Sequence, residues 1–149
     1  MRFANWNKNL LGLSKQTRKN VEETLEIFLP IEVVSIANKP WHWRRKHAYT
    51  SKVKNMVLFK LNEFDKRGCT LLSATFTRFG KRDLDDDNLV SAFKSHRDAV
   101  AMAFGTKDGP KNLARWYYEQ ETCTVKNGKS TGFSVKIHFL RDEKSENQI

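Results

Sequence analysis

The chain has 149 residues, a length that suits one domain with a real hydrophobic core. An apolar share of 39%, with ten phenylalanines and four tryptophans, argues against wholesale disorder, and no apolar stretch is long enough to span a bilayer. The formal net charge of +10 points to a polyanionic partner, nucleic acid before any other.

Met1 to Lys8 lacks the charged-then-apolar layout of a signal peptide, so a soluble, cytoplasmic protein is expected. Cys69 and Cys123 lie far apart with no Cys-x-x-Cys pair, which argues against zinc and against a disulfide in a reducing cytosol. Residues 1–24 read as an N-terminal extension, in which Ser14 to Glu23 offers only a thin apolar face for a helix. Leu25, Ile27, Leu29, Ile31 and Val33 then recur at alternate positions and predict a strand. Pro30 within that run cannot donate a ladder hydrogen bond, so it marks an edge position or a break.

Asn38 to His47 reads as a polar-aromatic loop. Val53, Met56, Val57, Leu61 and Phe64 follow at helical spacing, with Ser51 as a candidate N-cap and Gly68 as a stop. Leu72, Ala74 and Phe76 alternate with polar residues and predict a second strand. An acidic run comes next, opening a helix from about Asn88 whose apolar face continues through Phe93 and Val100 to Phe104, ended by Gly105. After a loop from Thr106 to Asn112, Trp116, Tyr118 and Gln120 begin a strand. The Asn127-Gly128 dipeptide predicts a hairpin turn, with Phe133, Val135, Ile137 and Phe139 on the returning strand. Residues 141–149 read as a polar tail, leaving 25–140 as the domain. The class expected is α+β, a mixed sheet with two main helices.

Two zones of charge stand out. No acidic residue occurs from Val33 to Asn62, where Lys39, Arg44, Arg45 and Lys46 fall beside Trp41, Trp43 and Tyr49. Cations neutralise phosphates, and aromatic rings can stack on unpaired bases, although a tryptophan is at least as often a core residue. Arg78, Lys81 and Arg82 form a second basic group, with a solvated loop as the even alternative. In contrast, Asp83, Asp85, Asp86 and Asp87 crowd into five positions. Magnesium takes oxygen ligands and is held in enzyme sites by one or two carboxylates with water and substrate phosphate. If the run is extended, Asp85 and Asp87 point to one side and Asp86 to the other. An EF-hand fails, because Asn88 stands where that loop needs Gly and Lys94 where it needs Glu. Helix capping explains one or two of the acids but not four.

Asp85-x-Asp87-Asn88-Leu89, after Arg78, Lys81 and Arg82, resembles the Asp-x-Asp-Asn-Leu signature of RusA-type Holliday junction resolvases. Arg97-Asp98-Ala99, then Phe104-Gly105-Thr106-Lys107-Asp108-Gly109, is similar to the family's helix and aspartate loop, and Trp116 to Gln120 to its next strand. Asn38 with His42-Trp43-Arg44 resembles an element of phage-type relatives. The resemblance runs from about Leu25 to Phe139. It implies a RusA-like homodimer that uses magnesium or manganese to place paired nicks in four-way DNA, in a bacterial or phage-infected cell. It casts Asp85, Asp87 and Asp108 as metal ligands. The family's lysine four residues after the second aspartate is Ser91 here, which leaves Lys94, nearly one helical turn on, as the substitute catalytic cation. Lys107 replaces a second acid of the loop. These two departures support the rival expectation, a non-catalytic DNA-binding protein on the same fold. An RNA-binding module rests on charge and aromatics alone.

Overall fold

A computed structural model describes residues 20–105, 114–123 and 130–142. The fold is α+β, built on a four-stranded mixed sheet. Strands β1 (Asn20–Leu29), β2 (Cys69–Gly80), β3 (Arg115–Thr122) and β4 (Gly132–Asp142) lie in the order β1-β4-β2-β3. Among the described residues three α-helices complete it: α1 (Trp43–Leu61), α2 (Asp86–Ala92) and α3 (Lys94–Ala103). The sequence predicts two; the third arises because the long apolar stripe after the acidic run is broken at Phe93 (φ −94°, ψ 8°), whose fully buried ring anchors the junction between α2 and α3.

β1 begins at Asn20, so residues 20–23 are strand rather than helix. Leu25, Ile27 and Leu29 turn inward, while Glu22, Thr24, Glu26 and Phe28 face outward. The alternation does not carry the strand to Val33: Pro30 ends it, and β1 occupies a sheet edge. In β2, a bulge between Leu71 and Ser73 shifts the phase, so that Leu71, rather than Leu72, is buried ahead of Ala74 and Phe76.

β4 is the spine of the sheet. It pairs antiparallel with both β1 and β2, and Phe133, Val135, Ile137 and Phe139 supply an unbroken inward row. This arrangement overturns the predicted β3–β4 hairpin. β3 instead pairs parallel with β2, from Ser73 opposite Arg115 to Gly80 opposite Thr122, so β2 separates it from β4. Asn127-Gly128 lies outside the described residues. β4 also runs on to Asp142, and Arg141 donates from Nε to Glu23 Oε2 at 3.0 Å, tying down what reads in sequence as tail.

α1 begins eight residues earlier than its predicted N-cap at Ser51. His42 is the cap, its Nδ1 accepting from the Arg44 N–H at 3.2 Å. The expected loop from Asn38 to His47 is therefore largely helix. Val53, Val57 and Leu61, four residues apart, form the buried stripe of α1. They pack with Ala99 and Val100 of α3 over the inward face of the sheet. At the end of α3, Gly105 takes the left-handed conformation (φ 67°), as its predicted role as a stop requires. Among the described residues no helix is long and apolar enough to cross a membrane.

Candidate functional site

The segment linking β1 to α1 is the base on which the site is built. Tyr49 of α1 donates its hydroxyl to the Glu32 carbonyl at 2.6 Å and accepts from the Val34 N–H at 3.3 Å. Burial pushes its phenol up to about 12, and it serves as a strut rather than a stacking platform. Further along, the Ser35 hydroxyl donates to Asn88 Oδ1 at 3.4 Å and so links this segment to α2.

The acidic run is held from the other side by a residue that sequence reading did not single out as functional. The side-chain amide of Gln120 accepts from the Leu84 N–H at 2.9 Å and donates to the Leu84 carbonyl at 2.8 Å. Both polar groups of one loop peptide pair are thus fixed by β3, much as a neighbouring strand would fix them. The signal available in sequence was a glutamine on the inward phase of β3, among aromatic residues.

Asp85 and Asp87 do not converge as alternate residues of an extended segment. Asp85 is the extended N-cap (φ −63°, ψ 156°), but Asp86 and Asp87 already lie in the first turn of α2, so the two-residue alternation of a strand does not apply. Asp85, Asp86 and Asp87 are exposed and ion-paired with no described cation. Asp83 accepts from the Thr122 hydroxyl at 3.3 Å. Carboxylates in the first turn complement the helix dipole, which lowers the cost of crowding them there. Among the described residues no three His, Cys, Asp or Glu side chains converge as a metal-binding group. Asp108 lies outside the described residues. Asp85 and Asp87 remain available as oxygen donors, the ligand type that magnesium takes.

Lys94 does not share a helix with Ser91, because the break at Phe93 intervenes. Its ammonium pairs with Asp98 Oδ2 at 3.4 Å on the exposed side of α3. The Ser91 hydroxyl donates back to the Asn88 carbonyl at 3.2 Å.

The basic residues fall into two groups. Arg44, Arg45 and Lys46 occupy the first turns of α1, where no acid is present and where the helix dipole is itself positive. Arg45 lies 4.1 Å from the centroid of the Trp41 ring, and Arg44 5.5 Å from that of Trp43, a residue 65% exposed. The second group surrounds Arg78. This residue is on the inward phase of β2 and only 7% exposed, so it is not part of a solvated loop. Its Nε donates to the Val33 carbonyl at 3.0 Å and its Nη1 to the Arg82 carbonyl at 2.7 Å, which splices the β1–α1 segment to the loop before the aspartates. The guanidinium lies across Gly80, where any Cβ would stand 2.5 Å from Nη1. Glycine at that position is what lets the arginine fold back. Arg78, Lys81 and Arg82 line a cleft of about 340 Å³, and Lys39 lines an adjoining one of about 210 Å³ that shares the Arg78 wall.

The structure thus brings Lys39, Arg78, Lys81 and Arg82 together beside the acidic run and places Arg44, Arg45 and Lys46 on the helix that Tyr49 braces against the same segment. It leaves Lys94 on a separate helix. Compared with known protein families and with curated proteins, the chain matches none of the family models and none of those proteins.

Proposed function

We propose that the protein is a magnesium-dependent, structure-specific DNA endonuclease that resolves four-way junctions, acting as a homodimer. The observation that carries this reading is the rigidly seated acidic loop beside a cationic cleft: Gln120 and Arg78 fix the segment that presents Asp85 and Asp87. In the proposed arrangement Asp85, Asp87 and Asp108 hold Mg²⁺, for which Mn²⁺ can substitute. The bound ion supplies a more acidic water and a sink for phosphate charge. Lys39, Arg44, Arg45, Lys46, Arg78, Lys81 and Arg82 hold the DNA backbone. Lys94 leaves Asp98 to meet the phosphate. A dimer presents two such sites, as paired nicks require.

The test is incubation with a synthetic four-way junction, a linear duplex and an RNA hairpin, with and without Mg²⁺. Symmetric, metal-dependent nicks in the junction alone are expected. Asp87→Asn should abolish them while preserving junction binding, since it removes a negative charge near the DNA. Cleavage at the parental rate by that variant would overturn the site.

A second reading, a non-catalytic DNA-binding protein on the same fold, is favoured by the pairing of Lys94 with Asp98 and by Ser91, whose hydroxyl is bonded to its own helix, standing where the family's lysine would be. Retarded but uncut junction under every metal condition is its signature.

A further inference from the structure

We propose that the two adjoining clefts together hold one unpaired nucleotide of the DNA, its phosphate over Arg78 and its base beside Val34, Ser35 and Leu84. This inference rests on the DNA-binding reading and names what that surface does at a branch point.

The first argument is charge. Arg78 carries a guanidinium, and burying a cation is costly unless an anion compensates it. Its hydrogen bonds reach two neutral carbonyls, and no described carboxylate forms an ion pair with it. A guanidinium has five N–H donors, of which these bonds use two. Arg78 also lines both clefts. A phosphate there would meet a fixed fork of donors, with Lys81 and Arg82 closing from the rim.

The second argument is the change of lining between the clefts. The larger one is lined mostly by cations; the smaller one, which shares Arg78 and Glu32 and has Lys39 at its edge, adds Val33, Val34 and Leu84, with Ser35 and Asn38 as polar groups. An ionic compartment joined to a partly apolar one with amide and hydroxyl groups suits a phosphate joined to a base, and extruding a base costs least where it is already unpaired. The smaller cleft also touches the acidic site, since Leu84 precedes Asp85 and Ser35 bonds to Asn88. Glu32 lines both clefts and opposes the anion, so its neutralisation should tighten binding.

The test uses four-way junctions carrying the fluorescent base 2-aminopurine at successive positions around the branch, with EDTA present so that cleavage plays no part. Binding is followed by anisotropy in the same samples. Wild-type protein should bind and raise the fluorescence several-fold at one or two branch positions. Asn38→Trp, an exposed change that fills the smaller cleft, should still bind the junction but lose that rise. Glu32→Gln should bind more tightly than wild type. Junction binding without brightening at any position would overturn the nucleotide pocket and leave the DNA reading intact. An undiminished rise with Asn38→Trp would also overturn the pocket. Failure to bind the junction at all would overturn both.

Discussion

A single glutamine and a single histidine show how much one side chain settles here. Gln120 satisfies both backbone groups of Leu84, so replacing it with glutamate keeps an acceptor for the N–H and sets a carboxylate against the Leu84 carbonyl. Gln120→Glu should destabilise the protein by about 1–3 kcal/mol, measured by chemical denaturation, and cut junction cleavage by more than that loss explains, because the aspartates lose their seat. His96 is fully buried, edge-on to Phe133 at 4.5 Å and Phe93 at 4.9 Å, and neither ring nitrogen has a hydrogen-bond partner among the described residues. Burial holds its imidazole down to about 3 from an ordinary 6.5. The folded ring stays neutral while the unfolded ring takes up a proton, so stability falls as pH drops through that window, by up to roughly 1.4 kcal/mol per pH unit. His96→Leu should flatten this part of the profile of melting temperature against pH. An unchanged slope would show that the ring is not the source.

At the level of elements, the first turn of α1 makes a prediction in which stability and binding part company. Acids there would complement the helix dipole, by about 0.3–1 kcal/mol each, whereas the chain carries Arg44, Arg45 and Lys46. The double change Arg44→Glu with Lys46→Glu should cause no loss of melting temperature. It should nevertheless weaken junction binding and reduce the slope of log affinity against log salt by about two. The same helix shows where sequence reading stops. Its buried stripe of Val53, Val57 and Leu61 was legible because it repeats every four residues. Its true start was not, because a histidine cap and a basic first turn are poor signals for a helix N-terminus. The single stripe from Leu89 to Phe104 likewise hid the break at Phe93, since a buried aromatic fits either a straight helix or a junction.

For the molecule as a whole, strand membership was readable and strand order was not. Alternation in β4 identified its inward face to the residue, yet the turn signal after β3 suggested a hairpin that the sheet does not contain. Pairing partners depend on which apolar faces meet across the core, and alternation carries no record of that. The candidate site divides in the same way. Its charged residues stood out by composition, while the clamps that position them, Arg78 across Gly80 and Gln120 on Leu84, needed three dimensions. The central place of β4 yields a further test. Ile137→Asp, an acid in the fully buried spine, should abolish cooperative unfolding rather than shift its midpoint, as followed by circular dichroism in urea.

β4 is the last described strand to leave the ribosome and the one that lies between β1 and β2. β1 therefore waits with an unpaired edge, from Asn20 to Leu29, through the synthesis of more than a hundred intervening residues before Phe133 to Asp142 arrive to meet it. Nearly every contact of β1 within the sheet is thus made at long sequence separation, which slows folding and lengthens exposure of Leu25, Ile27 and Leu29 to other nascent chains. The glutamates at positions 22, 23 and 26 fall on that waiting strand, where like charges on neighbouring copies discourage edge-to-edge pairing. The acidity of β1, in an otherwise basic protein, disfavours such mispairing until its partner exists.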